Sequence, residues 1–371
     1  MKLLLFFLLL VVSCHGDSKP DSPNFTSIFS FGDSFADTGN LVVLATPVLK
    51  DIWIDMNPYG ETFFHHPTGR CSDGRLVLDF LAQNFSLPLV PPYLVHNSSF
   101  GQGANFAVAG ATALDFAFFV NNNLSNPFMF NGSLSVQLGW FADLKPSLCK
   151  SCEECQEYFS TSLFIVGEFG ANDYAFMIFG GKTLEQVYGY VPMVIQKISA
   201  AAESLIKQGA KTVVVPGIWP DGCTPANLAQ NTSRPKEDYE PETGCLKDLN
   251  DLSRYHNSEL LKAVKQLQHN HLDVRLIFAD YYRPILDFVR TPHRFGFIDT
   301  PLRVCCGNAT NQYNVNLSEV CAMPGVGSCE NPLEYVNWDG VHLTEAAYHH
   351  IAEGWLNGTY AEPPILSGVD N

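Results

Sequence analysis

The sequence predicts an α/β protein built on a parallel sheet with helices on both faces. Three observations carry that expectation. Short runs that are apolar throughout alternate with longer amphipathic ones. The apolar runs lack the in–out alternation of a half-exposed strand, so each is covered on both sides. No internal repeat, low-complexity tract or long Pro/Ser linker breaks the pattern. A single domain over residues 17–371 follows.

The chain opens with Met1 and Lys2, then the apolar run Leu3–Val12, then Ser13–Gly16. A basic start, a short apolar core and small residues before a cut describe a secretory signal peptide, cleaved after Gly16. The run is too short to span a bilayer, so no stable membrane insertion is expected. Residues 27–32 read as the first buried strand. Arg75–Asn84 has helical spacing at Leu76, Phe80 and Leu81. The small residues of 103–111 read as a close-packed strand, and 163–167 as another. Leu184–Gln208 reads as one helix, stopped at Gly209. Thr212–Pro216 is a strand, Leu249–His269 a long helix, Val274–Phe278 a further strand and Thr344–Leu356 the last helix.

Composition narrows the function. At 46% hydrophobic and 16% charged residues the chain is a folding sequence, not a disordered one. A net charge of −16 repels phosphate backbones, which argues against nucleic acid as a partner. Nine Asn-x-Ser/Thr sequons occur, at Asn24, Asn84, Asn97, Asn123, Asn131, Asn231, Asn308, Asn316 and Asn357. Chance would give about three, and sequons mark exposed positions in secreted chains. Cys14 leaves with the signal, so ten of the eleven cysteines remain. An even number in an oxidising compartment reads as disulfides. The Cys149, Cys152, Cys155 spacing resembles half a zinc site but lacks further spaced ligands. The expected location is extracellular, with the vacuole as a variant.

In parallel α/β sheets the ligand site lies beyond the carboxyl ends of the strands. Beyond the first strand comes Ser34, on a strand-to-helix turn with Gly32 allowing a tight bend. It can be an activated nucleophile or a plain helix cap. Asp339 stands three residues before His342, in a loop ahead of the last helix. That spacing lets the carboxylate accept a hydrogen bond from Nδ1–H while Nε2 faces a hydroxyl. Asn172 follows a glycine turn after the strand at 163–167, where its amide can reach an oxyanion. Gly110 lies in a stretch of small residues that lets backbone N–H groups approach a ligand.

Together these pieces resemble the plant GDSL esterase/lipase family of the SGNH hydrolase superfamily. Four blocks stand in family order: Gly32–Asn40, Asn105–Ala107 with Gly110 and Ala111, Gly170–Asp173, and Asp339–His342. The connecting segments Pro67–Arg75, Pro216–Gly217 and Pro220–Cys223 match as well. The resemblance runs from about residue 27 to 356. It implies a three-layer αβα sandwich on a five-stranded flavodoxin-like parallel sheet. It implies Ser34 as nucleophile, His342 as base and Asp339 as its orienting partner. It implies Gly110, Asn172 and the Ser34 N–H as oxyanion donors, with no metal or organic cofactor.

Two departures appear, and neither touches a catalytic position. Phe35 replaces the eponymous leucine, and Ala109 stands where many members have glycine. The implied activity is hydrolysis of a small-molecule ester, of a specialised-metabolite kind rather than a long-chain lipid. An acyltransferase would share all four blocks. A secreted binding protein would be expected to lose at least one. The aromatic runs 116–120, 127–130 and 174–179 are candidates for an acyl pocket, with core packing as their ordinary use.

Overall fold

The computed structural model describes residues 23–125 and 129–367, so the expected signal segment lies outside the described residues. Strands β1 (Ser27–Phe31), β2 (Gly103–Asn105), β3 (Ser162–Val166), β4 (Thr212–Pro216) and β5 (Arg275–Ala279) are parallel, in the order β2-β1-β3-β4-β5. That is the flavodoxin-like order expected. A two-residue strand, β6 (Ala361–Glu362), adds antiparallel to β5 and makes the sheet six-stranded rather than five. Two residues are too short a run for periodicity to reveal.

Seven helices set the architecture: α1 (Val77–Asn84), α2 (Leu134–Leu148), α3 (Ala171–Phe179), α4 (Val191–Lys207), α5 (Lys247–Asn270), α6 (Tyr282–Arg290) and α7 (Glu345–Asn357). Alternate strand residues feed two cores. Phe29, Phe164, Val213 and Leu276 pack toward α2, α4 and α5. Ile28, Leu163, Val214 and Ile277 pack toward α1, α6 and α7. Two apolar layers sandwich one sheet, and each fully buried Val, Leu or Phe contributes about 1.5–3 kcal/mol.

The expected helix Leu184–Gln208 is in fact two. A short helix, Leu184–Tyr188, ends at Gly189, and α4 starts afresh with Pro192 in its first turn. Proline fits there because it has no N–H to leave unpaired. Helix α2 was not legible in the periodicity. Its buried stripe is Leu134, Gln137, Phe141 and Leu144, and the glutamine breaks the apolar pattern. Gln137 is polar because it clamps Gly32, accepting from its N–H at 2.9 Å and donating to its carbonyl at 2.8 Å.

Eight of the ten cysteines pair, as Cys149–Cys155, Cys223–Cys245, Cys305–Cys329 and Cys306–Cys321. The expected pairing thus covers most of them and leaves free Cys71, which is buried, and Cys152, which is exposed. Cys152 opens its own helix while its two neighbours join each other. Among the described residues, no helix is long and apolar enough to cross a membrane.

Candidate active site

Sheet order reverses at β1, which has β2 on one side and β3 on the other. Chains leaving β1 and β3 therefore diverge above the sheet and open a crevice. Phe31 stands in register with Val166, so the turns that follow emerge side by side. Ser34 lies on the first turn and Asn172 in the first turn of α3, beyond the second.

The turn after β1 is fixed by its own side chains. Asp37 accepts from the N–H groups of Gly39, Asn40, Leu41 and Ala109, which ties it to the Gly110 loop. Burial raises its pKa to about 6 against those four bonds. Asn40 donates to the carbonyls of Asn105 and Ala107, both at 2.8 Å. Asn105 returns a bond to Thr38 Oγ1 at 3.0 Å. Asp173 accepts from Ala113 and Leu114 N–H, each at 2.9 Å, and holds the loop from the other side. Burial pushes Asp173 up to about 7. Asp37, Asn40, Asn105 and Asp173 are thus scaffold. Each satisfies backbone groups that no helix or strand serves.

His342 arrives from the loop before α7. Asp339 Oδ2 lies 2.8 Å from His342 Nδ1, and Asp339 Oδ1 accepts from His342 N at 2.7 Å. The carboxylate thus holds both the ring and the peptide of the histidine. Burial opposes the imidazolium, but Asp339 outweighs it and holds His342 well above the ordinary histidine range. Asp339 is itself buried, yet the facing histidine keeps its pKa below the usual carboxylate value. Nothing in the sequence pointed to Tyr59, whose hydroxyl donates to Asp339 Oδ2 at 2.7 Å. Its partner lies 280 positions away, a contact that no local spacing encodes.

The segment 70–75 supports this loop from below. Arg70 grips Asp79 of α1 with two bonds of 2.8 Å. Ser72 donates to the Leu343 carbonyl at 3.0 Å, and Asp73 accepts from Glu345 N at 2.7 Å. Cys71 is thereby set against the His342 ring. On the far side, Cys305 N donates to the Asn337 carbonyl at 2.9 Å and Cys306 N to Trp338 at 2.7 Å. Two disulfides therefore brace the loop that carries Asp339 and His342.

Asn172 bonds to Asp33, the neighbour of Ser34, and to Ala111, the neighbour of Gly110. The ring of Phe35, next to Ser34, lies 5.8 Å from that of His342. Among the described residues, neither the Ser34 N–H nor the Gly110 N–H donates to a protein acceptor. Gly110 has φ +80°, and an added Cβ would meet nothing within 4 Å, so the loop faces open space. Asn172 Nδ2 donates to Asp33 Oδ2 at 2.8 Å and to the Ala111 carbonyl at 3.1 Å. Ser34 Oγ makes no hydrogen bond among the described residues. Resting sites often leave that bond to the substrate complex.

A cavity of about 320 Å³ opens beside Asn172, lined by Phe176, Phe179, Trp219, Arg234 and Val341 among others. Of the aromatic runs in the sequence, 174–179 thus reaches it. Phe119 is instead buried in the core, its ring 6.1 Å from that of Phe176. A larger groove of about 570 Å³, between Phe80 and His349, holds none of the candidate catalytic residues.

Comparison with known proteins agrees. The profile of the family described as GDSL-like Lipase/Acylhydrolase matches residues 28–355. The chain belongs to that family. It is 46% identical over 368 residues to GDSL esterase/lipase At1g28570 of Arabidopsis thaliana, covering 98% of this chain and 94% of that one. Sinapine esterase of Brassica napus is 45% identical over 362 residues, covering 95% and 92%. GDSL esterase/lipase At5g45910 of Arabidopsis thaliana is 44% identical over 344 residues, covering 91% and 92%. The family and these relatives identify the chain as a carboxylic ester hydrolase.

Proposed function

We propose that this GDSL-family hydrolase is a secreted, single-domain serine esterase that cleaves small or specialised-metabolite esters through an acyl-enzyme. The observation that carries the reading is the Asp339–His342 pair, 2.8 Å apart, with the ring of Phe35, next to Ser34, 5.8 Å from that of His342. Ser34 Oγ attacks the ester carbonyl while His342 Nε2 takes its proton. Asp339 keeps the Nδ1 proton in place and stabilises the imidazolium. The N–H groups of Ser34 and Gly110, with Asn172, take the oxyanion. His342 then protonates the leaving alcohol, and a water deprotonated by His342 releases the acid.

The compact cavity beside Asn172 favours a small acyl or alcohol group over a long chain. The relative named sinapine esterase is named for sinapine rather than for a lipid. Secretion to the extracellular space or the vacuole is supported by four disulfides. Sequon positions support it too. Asn24, Asn84, Asn97, Asn123, Asn131, Asn308 and Asn357 are exposed, while Asn231 and Asn316 are half-buried. The test is turnover of p-nitrophenyl acetate through palmitate by the wild type and Ser34→Ala. The variant should fold and be secreted, since loss of a cap costs only about 1 kcal/mol. Its turnover should vanish, because a lost triad nucleophile costs many powers of ten. Retention of more than about a tenth of the rate would reject the assignment.

A further inference from the structure

Behind Ser34 stand two carboxyl groups that the ester chemistry leaves unused. Asp33 and Glu168 follow β1 and β3, the strands that open the crevice, and both are fully buried. Glu168 Oε1 accepts from Asp33 N at 3.2 Å. An added Cβ on Gly32 would stand 3.0 Å from the same oxygen, so the glycine makes room for this carboxyl. Asp33 Oδ1 accepts from Phe35 N at 3.0 Å, and Asp33 Oδ2 accepts from Asn172 Nδ2 at 2.8 Å. One carboxyl group therefore joins the nucleophile turn to the amide on the oxyanion side.

Resting on the esterase reading above, we propose that Asp33 is the positioning residue for Asn172, and that Asp33 and Glu168 act as one unit holding a single proton between them.

Two carboxylates packed together out of water do not both ionise without a cation to offset them. The groups facing this pair are His342 from the loop before α7, Tyr281 after β5 and Tyr348 on α7. Both phenols are held neutral by burial, and His342, the cation facing the pair, lowers Asp33 less than burial and Glu168 raise it. Burial, then the Glu168 charge and hydrogen bond, hold Asp33 well above the usual carboxylate range. A protonated Asp33 oxygen can donate to Glu168 and still accept from Asn172. The pair then places one negative charge rather than two behind the oxyanion.

The same bond explains how Asn172 serves an oxyanion although both its N–H groups are engaged. The bond to Asp33 is 2.8 Å, and the bond to the Ala111 carbonyl is 3.1 Å. Only the longer one needs to turn toward the developing charge. The shorter one anchors the amide while it does so.

Two measurements test the two halves. The first is the infrared carbonyl-stretch band of protonated carboxyl groups at neutral pH, in wild type and Glu168→Gln. The introduced amide donates to Asp33 and lets it ionise, so one band should disappear. An unchanged band overturns the shared proton. This readout needs no turnover, so it stands apart from the esterase reading, which fails separately if Ser34→Ala stays active. The second is kcat and KM for Asp33→Asn, Asn172→Ala and the double variant, each checked for native circular dichroism. The asparagine at position 33 sets an NH₂ against that of Asn172, so kcat should fall about a hundredfold with KM little changed. The double variant should be no slower than Asn172→Ala alone, since both act through one donor. Multiplicative losses overturn the positioning role, and so does a variant that loses stability but keeps kcat.

Discussion

The hydroxyl of Tyr59 lies 2.7 Å from Asp339 Oδ2, the oxygen that also faces His342 Nδ1 at 2.8 Å. One carboxylate oxygen thus takes a phenol on one side and the His342 imidazole on the other. Oδ1 accepts from Val341 N at 2.8 Å and His342 N at 2.7 Å, so the carboxylate cannot rotate without breaking bonds at both ends.

Tyr59→Phe removes one donor from that set and leaves the buried ring in place. A hydrogen bond to a charged group is worth about 1.5–3 kcal/mol, part of which the remaining donors recover. The expected result is a fall in kcat of about tenfold, with KM nearly unchanged. The Asp339 charge, less shared, should also bind the His342 proton more tightly. The acid limb of kcat/KM should therefore move to higher pH. Steady-state kinetics on p-nitrophenyl acetate across pH measures both effects. A wild-type profile in the variant would make Tyr59 a packing residue.

The acid limb of the wild type should itself lie above the ordinary histidine value of 6.5, because Asp339 more than offsets the burial of His342. Only neutral imidazole can accept the Ser34 proton. The sign is therefore fixed: kcat/KM rises with pH and is still rising at neutrality. Asp339 stays ionised throughout that range, since its pKa is lowered. A rate already level at pH 6.5 would show that the carboxylate does not dominate.

The thiols give a prediction independent of catalysis. Of the ten cysteines among the described residues, eight pair and two do not. Exposed Cys152 should react with Ellman's reagent in the native protein. Buried Cys71 should react only after unfolding without reductant, bringing the count to two. A count near zero would mean that these two cysteines pair in solution, and a count near ten would remove the disulfides altogether.

Much of the fold was legible because its signal is local. Strands such as Thr212–Pro216 announce themselves by five consecutive buried residues. The blocks around Ser34, Asn172 and His342 were legible because each sits on a strand-end or pre-helix loop, where a parallel sheet places its crevice. What escaped was long-range or polar. Gln137 hid helix α2 because a buried polar clamp interrupts the apolar stripe that marks a helix. Glu168 carried no signal of its own, since nothing in the sequence places it against Asp33. Tyr59 and Cys71 carry no spacing relative to His342, and only the folded chain brings them to it.

Asp339 and Asn172 should fail in different ways, because they serve different species. Asp339→Asn leaves a histidine with the wrong tautomer or orientation. Its loss should be severe near neutrality, with kcat down by about 10⁴, and partly relieved where hydroxide replaces the base. Asn172→Ala removes a donor to a charge that exists only in the transition state. It should lower kcat by about a hundred- to a thousandfold with KM little changed. No proton carrier is lost, so that deficit should persist at every pH. The resting geometry sharpens the contrast. Asn172 is bonded to Asp33 and to Ala111, so the alanine variant also leaves the Asp33 carboxyl short of one donor. An Asn172→Ser variant restores a donor at shorter reach. It should recover part of the rate if oxyanion contact matters, and none if the bond to Asp33 is the whole contribution. A rise in KM without a fall in kcat would instead make Asn172 a substrate-positioning residue and leave the oxyanion to the Ser34 and Gly110 N–H groups.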